Sequence, residues 1–255
     1  MTPLEAVLTI AVGFVAGVLS GLFGVGGGIV MTPGLSAFAG EPPIVAVATP
    51  LPVILPTALV GAVTYYRAGQ VDLRAAAWIS LTGAPVSAAG AAITEVVNAR
   101  LLLLITAVLL GYQSVQILRG RGGRAREEER EIPAWTLVIV GVVAGLLSGL
   151  LGIGGGLVIV PVLAGMLGVP LKQALGTSLV AVVVLVIPGI VVHAALGHLD
   201  WTAAGFLLIG SLPGARLGAT IALGARERTL RLLVGSFLGV VALAYGIQQV
   251  IELAR

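Results

Sequence analysis

The chain has 255 residues, 58% of them hydrophobic and only 10% charged, with a formal net charge of +3. A soluble domain carries roughly a quarter charged residues, so the chain reads as an integral membrane protein with lipid as the solvent for most side chains. Cysteine is absent and only two histidines occur, His193 and His198; this excludes disulfides, thiolate catalysis and a Cys/His metal cluster, and no cofactor is expected.

The N-terminus, Met1-Thr-Pro-Leu-Glu5, has no basic region before the first apolar run. Residues 4–22 are therefore expected to stay as a membrane helix and not to be a cleaved signal. Gly13, Gly17 and Gly21 stand at spacing four, a pattern that lets helix backbones approach closely. Residues 24–28 break the helix, and residues 29–39, with Pro33, form a short second one. Residues 40–43 are a turn. Residues 44–67 are long enough to span but carry Pro50, Pro52 and Pro56, which predicts a kink or partial unwinding. Asp72 suits a helix N-cap, and spans follow at 73–93 and 100–118.

Residues 119–131 hold five arginines and four glutamates and read as a solvated linker. The pattern then repeats: spans or short helices at 134–151, 157–167, 171–196, 201–223 and 229–253, with a second break at 152–156. The copies are offset by 128 residues, and Gly13–Pro33 matches Gly141–Pro161 at 14 of 21 positions. The expected organisation is repeat 1 over 1–118, a linker over 119–133 and repeat 2 over 134–255.

Positive loops face the cytoplasm, so charge tests the topology. If residues 4–39 make one crossing, the two faces carry 8 and 5 basic residues. If the chain has returned to its starting side by Gly40, the counts become 11 and 2. The second arrangement is preferred. It makes the fold an all-α polytopic membrane protein of two inverted-topology repeats, each of about five membrane segments including a short broken or re-entrant helix. Both termini then lie outside and the linker is cytoplasmic. Parity does not decide whether residues 4–39 cross twice or form a re-entrant hairpin.

A glycine cluster inside an apolar segment leaves backbone groups without local partners, which lipid tolerates only beside protein or a watery cavity. Two such breaks at matching places in two halves point to a transport site. Gly26, Gly27, Gly28 and Gly154, Gly155, Gly156 would open half-helices whose unpaired N–H groups suit an anion; the alternative is close helix crossing alone. No Lys-Ser/Thr follows, so neither break is a P-loop, and the dinucleotide fingerprint lacks its third glycine. Ser20 and Ser148 precede the breaks at equivalent positions, and Thr49, Thr177 and Ser178 lie early in the second spans. Arg216 is a membrane arginine, expected to supply charge if it faces the cavity and otherwise to snorkel. Spans with so few titratable groups do not suit an enzyme.

The duplicated Leu-Ser-Gly-Leu-x-Gly-x-Gly-Gly-Gly with its following proline, the Gly176-Thr-Ser178 triplet, Gly197-His-Leu-Asp200 and Pro213-Gly-Ala-Arg-Leu-Gly-Ala219 together resemble the TauE/SafE sulfite-exporter family. The resemblance spans nearly the whole chain. It implies a secondary transporter, often an exporter, of sulfite, sulfoacetate or related organosulfonates in a prokaryotic plasma membrane. Repeat 1 departs from the triplet with Ala48-Thr-Pro50. The expected partners are a small anionic substrate and the lipid bilayer, with no nucleic acid; a homo-oligomer is left open. A passive anion channel of the same architecture is the alternative.

Overall fold

The structure, a computed structural model, describes residues 3–35, 42–93, 108, 111–112, 114–115, 117–119, 132–152 and 154–253. The expected span at 100–118 and the charged linker fall largely outside them. The helices whose bounds fall within the described residues are α1 (Pro3–Phe23), α2 (Gly28–Gly34), α3 (Pro43–Ala48), α4 (Pro50–Arg67), α5 (Leu73–Ala92), α6 (Ala134–Leu151), α7 (Gly156–Pro161), α8 (Leu171–Ala195), α9 (Trp201–Gly224) and α10 (Glu227–Leu253). A π-helical turn, Val162–Met166, extends α7. The described residues contain no strand.

Among the described residues, four segments are long and apolar enough to cross a membrane: Pro3–Phe23, Ile44–Arg67, Leu171–Ala195 and Trp201–Gly224. The 25 residues of α8 extend about 37 Å at 1.5 Å each, more than the roughly 30 Å hydrocarbon core. The helix over Ile44–Arg67 is interrupted at Thr49, between α3 and α4, where Pro50 begins α4; proline has no N–H to give to the helix ladder and suits a helix's first turn. Asp72 caps α5, its carboxylate accepting from the Ala75 N–H at 2.9 Å. Asp200 caps α9 in the same way, from Thr202 and Ala203.

Each repeat's first helix packs on a helix of the other repeat. A Cβ built at Gly17 would stand 2.2 Å from the Ser211 carbonyl oxygen, and one at Gly145 would stand 2.2 Å from that of Gly83. These pairs are equivalent at the 128-residue offset. Along α1, Gly13, Gly17 and Gly21 meet Leu207, Ser211 and Ala215 in rising order, so α1 and α9 run parallel. Gly141, Gly145 and Gly149 meet Ile79, Gly83 and Ser87 in the same way, so α6 and α5 also run parallel. The glycine stripes thus act as the close-packing surfaces that their spacing predicts.

Two further directions matter. Gly61 of α4 meets Leu179 of α8 while Gly189 of α8 meets Leu51 of α4, so these repeat counterparts run antiparallel. Gly27 lies against the Ala16 carbonyl and Gly34 against the Val12 side chain, so α2 turns back alongside α1. The central core lies between α4 and α8, where Ile54, Ala58, Leu179, Val182 and Val186 are fully buried.

Candidate functional site

The two glycine breaks are built alike. Gly24, Gly26 and Gly27 have φ of 70°, 86° and 86°, and Gly152, Gly154 and Gly155 have 65°, 86° and 75°. A side chain at any of them would be strained, because L-residues avoid this region. Gly27 and Gly155 are the N-cap positions of α2 and α7, and neither cap makes a side-chain hydrogen bond. The ladder of α2 starts with Val30 and Met31 donating to the Gly27 carbonyl, and that of α7 with Val158 and Ile159 donating to Gly155. The amides of Gly28, Ile29, Gly156 and Leu157 lie upstream of those first rungs.

The breaks meet each other in the protein interior. A Cβ at Gly156 would stand 2.4 Å from the Gly24 carbonyl oxygen and 2.9 Å from the Val25 Cα. Gly154 lies against Val182, Val186 and Ile54, about halfway along α8 and along Ile44–Arg67. Residues 20–28 and 154–161 are all buried, so the junction is closed to both ends of the bundle.

Ser20 and Ser148 flank this junction at equivalent positions. They are 0% and 2% exposed, and neither hydroxyl has a hydrogen-bond partner. Leaving a buried hydroxyl unpaired costs on the order of 1–3 kcal/mol, so a repeated orphan needs an explanation. The Thr32 hydroxyl is also unpaired, but its counterpart is Val160.

The other predicted residues divide. Ser178 reaches the first break, donating to the Gly24 carbonyl at 2.9 Å. Its counterpart, Pro50, has no donor. Thr49 and Thr177 are fully buried, but their hydroxyls face the helix caps of the opposite repeat. The Asp200 N–H donates to the Thr49 hydroxyl at 3.1 Å, and the Asp72 N–H donates to that of Thr177 at 2.9 Å. These are matching ties between repeats. Arg216 is exposed on α9, so the condition on which it would supply charge to a buried site is not met.

Sequence reasoning missed Tyr65. It is fully buried and donates its hydroxyl to the Gly21 carbonyl at 3.0 Å, holding the last turn of α1. Its place near a span end suggests an interface, and only the return of α4 toward α1 brings it to the break. Its counterpart, His193, instead pairs with His198, Nδ1 to Nδ1 at 3.3 Å. The Thr57–Ser211 hydroxyl pair, at 2.8 Å, was also missed, because its counterparts are Leu185 and Gly83 and repetition gives no signal. The side chains named around the junction are all neutral, so any ligand there would be held by hydrogen bonds alone. No group of three or more metal-ligating side chains occurs among the described residues.

Comparison with known proteins decides the family. The model of the family described as "Sulfite exporter TauE/SafE" matches residues 9–245. The chain belongs to the TauE/SafE family. It is 28% identical to the probable membrane transporter protein YunE of Bacillus subtilis, over 88% of this chain and 91% of the relative. A probable membrane transporter protein of Xylella fastidiosa strain 9a5c is 29% identical, over 97% of this chain and 95% of the relative. One from Methanocaldococcus jannaschii, MJ0441, is 27% identical over 92% and 93%. No solved structure matches. TauE/SafE membership makes this a protein of a membrane transporter family, consistent with its apolar spans.

Proposed function

We propose that the protein is a secondary transporter that moves a small sulfur-containing oxyanion, sulfite or an organosulfonate such as sulfoacetate, by alternating access. The observation that carries this reading is the junction of the two glycine breaks halfway along the spans, flanked by the unpartnered Ser20 and Ser148 hydroxyls. In this reading the first amides of α2 and α7 and the two hydroxyls would supply a ring of neutral donors. The family description names sulfite, and a sulfur oxyanion offers several acceptor oxygens to such a ring. A buried junction favours a carrier over an open channel, because anions cannot pass without rearrangement.

In this reading the repeats are inverted. The counterparts α4 and α8 run antiparallel, and the exchanged contacts α1 on α9 and α6 on α5 obey a two-fold relation. If α1 and α4 point the same way, α2 must carry the chain back between them, as the charge count requires. Charge placement agrees. Gly176 packs against Gln70 and Tyr65, and Lys172 donates to the Leu223 carbonyl, so Arg67, Lys172 and Arg226 share one end of the bundle. That end would be cytoplasmic, in a prokaryotic plasma membrane, with both termini outside. Thr49 and Thr177 would tie the repeats at opposite faces and Ser178 would shape the first break.

Flux of sulfite, sulfoacetate, sulfate and chloride into proteoliposomes tests the proposal. Saturable, gradient-coupled movement of a sulfur oxyanion is expected. Fast ohmic chloride flux would favour a channel, and no flux of any anion would overturn the anion reading.

A further inference from the structure

The two glycine breaks match in backbone conformation but not in what holds them. A helix end leaves carbonyls without intrahelical partners, and in the interior each must find another donor. At the first break, side chains of two other helices supply it. Tyr65 of α4 donates its hydroxyl to the Gly21 carbonyl at 3.0 Å, and Ser178 of α8 donates to the Gly24 carbonyl at 2.9 Å. Both side chains are fully buried, so water does not compete for either bond.

The second break lacks both ties. The counterpart of Tyr65 is His193, whose ring pairs with His198, and the counterpart of Ser178 is Pro50, which has no donor. Among the described residues no side chain donates to the Gly149 or Gly152 carbonyl. Packing does not compensate, because it is common to the two breaks: Gly152 lies against Val47, and Gly24 lies against Leu175, the counterpart of Val47. The two hydrogen bonds are therefore additional at the first break.

The breaks bear on each other through the oxygen that Ser178 holds, since Gly156 packs directly on the Gly24 carbonyl. Making room between them can happen in two ways. Gly24 can leave Ser178 and draw Gly21 from Tyr65, which gives up two buried hydrogen bonds and leaves their carbonyls unpaired. Alternatively, Gly156 can withdraw from a stationary Gly24, which gives up neither.

We propose that Tyr65 and Ser178 are positioning residues that fix the first break, and that the second break is the half that moves when the junction opens. That the opening admits an anion rests on the transport reading; which half moves does not. The repeats then have different tasks, with residues 20–28 a fixed wall and residues 148–156 a gate.

The test places single cysteines in the cysteine-free chain at the equivalent positions Leu22 and Leu150, each 7% exposed. N-ethylmaleimide labelling of purified full-length protein is followed without anion. Leu150→Cys is expected to label faster than Leu22→Cys. Tyr65→Phe and Ser178→Ala should each speed Leu22→Cys labelling about fivefold, as for one lost hydrogen bond, and leave Leu150→Cys labelling within about twofold. Ser178→Thr, which keeps the hydroxyl, should preserve the slow rate. Met31→Cys and Ile159→Cys, a second equivalent and fully buried pair, serve if the first pair folds poorly. In proteoliposomes, Tyr65→Phe and Ser178→Ala should raise the KM for the anion severalfold with the maximal rate within about twofold, because a loosened wall must be ordered on binding. Leu22→Cys labelling at least as fast as Leu150→Cys, or Tyr65→Phe and Ser178→Ala leaving the ratio of the two rates unchanged, would overturn the proposal. Absence of any anion flux would overturn the transport reading instead, with the labelling still deciding which half moves.

Discussion

Replacing Ser20 and Ser148 by alanine should move stability and ligand response in opposite directions. Both hydroxyls are buried with no partner, and each costs on the order of 1–3 kcal/mol for its lost hydration. Alanine removes the oxygen, leaves almost no cavity and has the better helix propensity by several tenths of a kcal/mol. Each substitution should therefore stabilise the ligand-free protein by about 1–3 kcal/mol, or roughly 2–8 °C in midpoint for a chain of this size. The same change removes a donor from the proposed anion ring, so stabilisation by sulfite or sulfoacetate should shrink, by about tenfold in affinity for a lost hydrogen bond to a charged ligand. The assay is thermal unfolding in detergent, with and without each anion. A structural hydroxyl would give the reverse signs. A destabilised Ser20→Ala, or a double variant with an undiminished anion response, would refute the reasoning.

Other consequences follow from the packing and the ties between repeats. Gly17→Ala and its counterpart Gly145→Ala should each destabilise by about 1–3 kcal/mol through overpacking, because each Cβ would stand 2.2 Å from a carbonyl oxygen. Gly205→Ala, with nothing within 4 Å, should match or exceed wild type in the same melts. Thr49→Val and Thr177→Val each leave an Asp N–H without its acceptor and should cost about 1–3 kcal/mol; transport falling in proportion to folded protein would separate a tie from a ligand. Arg216→Ala should leave anion uptake within about twofold of wild type, as expected for an exposed side chain. The absence of native cysteine makes topology measurable: Arg228→Cys and Leu196→Cys should be labelled from opposite sides of intact cells.

Much of the fold is legible in the sequence because glycine, proline and aspartate act locally. The breaks at 24–28 and 152–156 follow from clustered glycines, the division at Thr49 follows from Pro50, and the starts of α5 and α9 follow from Asp72 and Asp200. Repetition shows which positions correspond. It does not show which helices touch, since Gly17 meets Ser211 and Gly145 meets Gly83 only after the repeats exchange their first helices. The site is less legible for the same reason. A threonine in a span looks available to a ligand, but the partner of Thr49 lies 151 residues away and that of Thr177 lies 105 away. Tyr65 reads as an interfacial residue until a carbonyl 44 residues upstream comes within its reach. Ser20 and Ser148 are the informative pair in both views: repetition singles them out, and the fold leaves both without partners.

The most direct measurement is an experimental structure with sulfoacetate or sulfite bound. The account predicts density for the anion between the glycine breaks, within hydrogen-bond distance of the Ser20 and Ser148 hydroxyls, with Gly24 and Gly156 drawn apart to admit it. Anion density elsewhere in the protein, with the two breaks still packed against each other, would contradict it.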